Sequence, residues 1–191
     1  MTLLVLGLVL FLGTHSIALV APGLRDGLAR SLGEGPWKAL YALASLAAFV
    51  LIVVGFAGAR LASPVVYVPP TWLHYVALVL LVPVFPMALA AYLPGRIQAT
   101  LKHPLLEATK TWALAHLLAN GRLVDVVLFG AFLAWAVADS ISLKRRPQRA
   151  LRAAPPGRFN DLIAVVAGLV LYALFIGGLH ARLIGVDPLP R

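Results

Sequence analysis

Five histidines and seven carboxylates carry whatever metal or acid–base chemistry this 191-residue chain can do, because it has no cysteine. Disulfides, iron–sulfur clusters, thiolate heme ligation and a cysteine nucleophile are excluded with it. The densest polar group lies between Leu101 and Ser142. There His103, His116, Glu107, Lys110, Asp125 and the Asn120-Gly121 break interrupt apolar helical sequence, with Trp112 and Trp135 beside them. Trp112, His116 and Asn120 recur every fourth residue and so share one helix face. His15 lies in a separate apolar run, His74 opens another, and His180 closes the last. An ionisable group inside a membrane is costly, which makes such positions candidates for a functional site.

Neutral imidazoles on facing helices suit heme b in an apolar cavity, and suit a metal ion, a quinone or a proton path equally well. Asp125, Asn120, Trp112 and Ser16, with Glu107, are the groups at hand to orient such rings. The loops and motifs of nucleotide-binding proteins, zinc proteases and serine hydrolases are missing, as is any carboxylate pair at catalytic spacing.

The chain is 61% hydrophobic and 12% charged, with a mean hydropathy of +0.93. A soluble domain carries about a quarter charged residues, so this composition belongs to a membrane protein. The net charge is +9. Its basic residues sit in connectors, which points to anionic lipid and membrane orientation. No basic groove with interleaved aromatics occurs, so no nucleic-acid partner is expected.

Apolar runs of span length predict an all-α, polytopic transmembrane helical bundle forming one membrane domain over 1–191. Six spans are expected, at about 2–21, 37–59, 72–93, 104–119, 122–143 and 162–179. The first has no basic leader and reads as a retained span. Between the first two, Leu24, Leu28 and Leu32 alternate with Arg25 and Arg30, which predicts an interfacial helix over 23–33. Gly55 and Gly58 suit close helix contact, and Gly130, Ala134 and Ala138 form a small-residue stripe. Residues 60–71 read as an extended surface segment, and Pro83 and Pro86 predict a kink in the third span. Residues 104–119 cover only about 24 Å of helical rise, so five crossings result if this segment is re-entrant.

Charge separates these two topologies. Residues 144–158 hold six basic side chains and no acidic one, which assigns them to the cytoplasm. With six crossings, Arg25, Arg30, Lys38, Arg96 and Lys102 join them there, and both termini are periplasmic in a bacterial inner membrane. With five, that asymmetry largely vanishes. The ligand geometry pulls the other way: six crossings put His15 and His103 toward the cytoplasm and His74, His116 and His180 toward the outside. A re-entrant 104–119 puts His15 and His116 in the same half.

Four segments resemble the NnrU family of membrane proteins, which are associated with denitrification. They are LGLVLFLGTHS (6–16), LGEGPWKALYALASL (32–46), AAYLPGRIQATLKHP (90–104) and the run from Trp112 to Arg146. That family is similar to the 15-cis-zeta-carotene isomerase of plants and cyanobacteria, a heme b protein of the membrane. The resemblance implies heme b, with His15 and His116 as iron ligands and His103 as a further cofactor-binding histidine. It implies a role in nitrite and nitric oxide metabolism or in isomerising a hydrophobic small molecule. No histidine falls within 40–71, where the isomerase pattern expects one. The competing reading is a cofactor-free accessory protein that binds a membrane partner or a second copy of itself. Beside any of these, the lipid bilayer is the expected partner.

Overall fold

A computed structural model describes residues 1–145 and 153–189. The middle of the basic 144–158 loop therefore lies outside the described residues. The chain forms two compact units, residues 1–65 with 122–131 and residues 66–121 with 132–191.

The first unit is built on α1 (Thr2–Val20) and α3 (Glu34–Arg60), with α2 (Pro22–Leu32) packed on both. The two long helices run antiparallel and touch through glycine. A Cβ on Gly7 would sit 2.7 Å from the Ile52 nitrogen, and one on Gly55 would meet the Leu3–Leu4 backbone. Gly58 faces open space, so of the two glycines expected at the contact only Gly55 makes it. Pro22 opens α2 at a position where its missing N–H costs nothing. Gly33, with φ 86°, closes α2 in a backbone region that disfavours side chains.

The segment expected to be extended and at the surface is non-helical and mostly exposed over 61–70, and it is tied to the start of α8 (Leu123–Ser142). The Leu123 N–H donates to the Pro64 carbonyl at 2.9 Å, and the Val124 N–H donates to the Ser63 hydroxyl at 2.9 Å. The Arg122 guanidinium donates to the Ser63 carbonyl at 3.0 Å, and Val65 pairs with Arg122 as an isolated antiparallel bridge. Asp125 reaches back to accept the Arg122 N–H at 3.3 Å. Ser63 and Asp125 thus divide between them the work of a capping box.

In the second unit, α4 (Thr71–Leu81) and α5 (Val84–Ala90) form one broken rod. The break falls at Pro83, as expected, and Pro86 sits in the first turn of α5, where an absent N–H is tolerated. The Val82 N–H bonds to Val79, three residues back. The Leu78 carbonyl accepts the Tyr172 hydroxyl at 2.9 Å. Tyr172 belongs to α9 (Asn160–Leu174), which lies against α5 so closely that a Cβ on Gly168 would be 2.7 Å from Pro86 Cα.

Helix α7 (Pro104–Ala119) packs on both α4 and α5. Its C-terminal end meets the start of α4, where the Tyr67 hydroxyl donates to the Leu117 and Asn120 carbonyls. Its N-terminal end meets α6 (Arg96–Leu101), a short helix at the far end of α5 that the sequence pattern does not announce. A segment that dips and returns would touch one half of the α4–α5 rod. Helix α7 runs antiparallel along both halves, so its two ends lie at opposite ends of the unit.

Among the described residues, five helical segments are long and apolar enough to cross a membrane: 2–20, 34–60, 71–90, 123–142 and 160–184. Large apolar side chains stand on their outer surfaces, with Val9, Leu43 and Val79 each 64–70% exposed. Such surfaces are stable only in hydrocarbon, so the chain is a polytopic α-helical membrane protein.

Candidate functional site

Two histidines face each other in the second unit. The rings of His116 and His180 have centroids 6.5 Å apart and planes 27° apart. His116 lies one turn from the end of α7, where its Nδ1–H donates to the Trp112 carbonyl at 2.8 Å. Asn120 then donates to the His116 carbonyl at 3.0 Å, which closes the last turn. The Trp112 ring lies 5.3 Å from the imidazole and stands edge-on to Phe132 at 5.5 Å. So the shared face of Trp112, His116 and Asn120 exists, held by its own backbone bonds.

His180 reaches the pair through an irregular turn. Helix α9 widens into a π-helical segment, Phe175–Leu179, and Gly178 there adopts φ 128°, outside helical values. A residue inserted into a helical turn rotates the downstream side chains by about 100°, so this segment decides which way His180 points. Helix α10 (His180–Ile184) then ends at Gly185 with φ 75°. That left-handed step returns the Val186 carbonyl to accept the His180 Nδ1–H at 2.8 Å. Each ring is therefore held at Nδ1 by a carbonyl, which in a neutral imidazole leaves the lone pair on Nε2. Metal-ligating histidines are commonly held this way.

The other expected site residues lie elsewhere. His15 belongs to the first unit, where it stacks on Phe11 at 4.2 Å, meets Tyr41 edge-on at 5.4 Å and donates Nδ1–H to the Phe11 carbonyl at 2.7 Å. Ser16 adjoins it, half-buried in α1. Asp125 is also in the first unit, buried and engaged at the start of α8. His103 is the residue before α7, and its carbonyl accepts the Leu106 and Glu107 N–H groups. It stands at the opposite end of α7 from His116, about 20 Å away at helical rise. Glu107 is paired with Lys110 at 2.6 Å. Among the described residues, no group of three or more histidine or carboxylate side chains is placed to hold a metal ion.

His180 is the residue that sequence reasoning left outside the site. The pair Gly177-Gly178 inside an apolar span, directly before Leu179 and this histidine, was the available signal. Helix irregularities of this kind concentrate at functional sites.

A membrane bundle of this kind, with paired histidines at one end of a unit, defines a class and not yet a protein. The family model described as NnrU protein matches residues 3–188, nearly the whole chain. The chain belongs to the NnrU family. No curated protein and no solved structure matches it.

Proposed function

We propose that His116 and His180 would hold a heme b, and that the protein is a membrane heme protein of nitrite and nitric oxide metabolism. The observation that carries this is the ring pair at 6.5 Å with both Nδ1 atoms held by carbonyls. A zinc ion asks three or four ligands of the protein, whereas a porphyrin brings four nitrogens and asks for one or two. Two imidazoles fit the second case. Heme b held this way supplies one-electron redox chemistry. The chain's own contribution is to fix the ligating tautomer through Trp112 and Val186 and to keep the site in apolar surroundings. Heme b is also what the resemblance to the isomerase family implies, while the pairing of His116 with His180 rests on geometry alone.

The test is an absorption spectrum of detergent-purified protein produced with ample heme. A Soret band with a heme b pyridine hemochrome is expected, and His116→Ala or His180→Ala removes or shifts it. A colourless wild-type protein overturns the reading.

For orientation, we propose a bacterial cytoplasmic membrane with both termini periplasmic and six crossings, α7 among them. The charge asymmetry of the connectors and the full-length packing of α7 along α4 and α5 support this. Single cysteines placed at Gly35 and Lys102 are then protected from a membrane-impermeant thiol reagent in intact cells, and one at the exposed Val68 is labelled. The reverse pattern overturns it.

A further inference from the structure

His74 is a half-buried imidazole for which the site described so far has no use. It lies one turn into α4, and its Nδ1 is buried without a hydrogen-bond partner among the described residues. Two ties set its level. Just before α4, the Tyr67 hydroxyl is bonded to the end of α7, and one turn after His74 the Leu78 carbonyl holds the Tyr172 hydroxyl of α9. His74 thus stands between these ties, on a helix packed against α7, at the end of the unit that carries His116 and His180. Buried polar atoms are paired almost without exception, so this nitrogen calls for a partner.

We infer that His74 donates Nδ1–H to a carboxylate of the heme held by His116 and His180, an inference that rests on the reading proposed above. Heme b carries two propionate groups on one edge. A carboxylate brought among apolar helices needs hydrogen-bond donors, and charge-assisted bonds are the strong ones. Several neighbouring donors at this end are already engaged. Asn120 donates to the His116 carbonyl, the Tyr67 hydroxyl to the last carbonyls of α7, and the two facing imidazoles to Trp112 and Val186. The His74 Nδ1 has no such partner among the described residues.

Heme transfer from the purified full-length protein to excess apomyoglobin measures the contact directly, without any assay of activity. His74→Phe keeps the ring's bulk and removes the donor, while His74→Gln keeps a donor. Loss of one charge-assisted hydrogen bond makes heme leave about tenfold faster from the phenylalanine variant, with the glutamine variant close to wild type. Wild-type heme retention in His74→Phe overturns the inference, as does equal loss from both variants. Where His74→Phe does not accumulate, His74→Leu serves in the same comparison. A wild-type protein without heme overturns the iron site as well, and the two failures are thereby told apart.

Discussion

The carboxylate of Asp161 accepts the backbone N–H of Arg96 at 2.8 Å and that of Ile97 at 3.1 Å, joining the start of α9 to the start of α6. Its neighbour Asn160 donates to the Pro94 carbonyl at 2.8 Å and to the Pro155 carbonyl at 3.1 Å. Two adjacent residues therefore clamp the 94–97 turn, and Gly95 leaves the room that the Asp161 carboxylate fills. Asp161→Ala strands two N–H groups and costs about 2 kcal/mol. Asp161→Asn has one acceptor oxygen for the two donors and falls between. Thermal unfolding in detergent reads the order wild type, asparagine, alanine; an alanine variant as stable as wild type would show that the clamp is idle.

Gly168 and Gly177 lie on the same helical segment and predict opposite outcomes. A methyl group on Gly168 collides with the Pro86 backbone, whereas one on Gly177 meets nothing within 4 Å. Gly168→Ala is expected to destabilise by about 1–3 kcal/mol through forced separation of α5 and α9. Gly177→Ala is expected to be neutral or to stabilise by up to about 1 kcal/mol. The two unfolding midpoints decide it, and similar shifts would contradict the packing described.

Tyr172 and Leu78 show how a proline break is made good. With Pro83 lacking an N–H and Val82 bonded to Val79, the Leu78 carbonyl depends on the Tyr172 hydroxyl. Tyr172→Phe leaves a half-buried acceptor unpaired and costs about 1 kcal/mol, with little loss of packing. Unchanged stability in that variant would mean that another donor reaches Leu78.

Lys102 holds φ 62° in a three-residue turn, with the His103 N–H bonded to the Leu101 carbonyl at 2.7 Å. Side chains are strained there and glycine is not. Lys102→Gly should therefore be more stable than Lys102→Ala by about 1 kcal/mol, despite glycine's greater freedom in the unfolded chain. Equal midpoints for the two variants would place the strain elsewhere.

Much of this fold is legible in the sequence because it depends on local rules. The apolar runs mark the helices, Pro83 marks the break, and Pro104 opens α7 where expected. Where a feature depends on a distant neighbour, legibility ends. Asn120-Gly121 reads as a helix stop, yet Gly121 has no positive φ; a side chain there would collide with the Tyr67 backbone. Helix α6 is only six residues long and rests on the Asp161 carboxylate, 65 residues away, so its own sequence cannot announce it. The small residues Gly130, Ala134 and Ala138 look like a packing stripe, but Gly130 faces open space and both alanines are exposed. The partner of His116 was hidden for the same reason. Which helix lies beside α7, and how far the turn at Gly178 rotates His180, are tertiary facts.

The choice of ligand pair is open to a direct test, because resemblance and geometry assign different partners to His116. The resemblance pairs it with His15, which sits among Phe11 and Tyr41 in the first unit. The ring geometry pairs it with His180. If both imidazoles hold the proposed heme, carbon monoxide would have to compete with one of them, and removing one would relieve that competition. Ferrous His180→Ala is therefore expected to bind carbon monoxide about tenfold or more tightly than wild type, since no intrinsic ligand has to leave. His15→Ala and His103→Ala keep the wild-type spectrum and affinity. Added imidazole should restore the wild-type spectrum in His180→Ala by occupying the vacated position. If His15→Ala opens the iron and His180→Ala does not, the facing pair is only a packing contact and His15 is the second ligand.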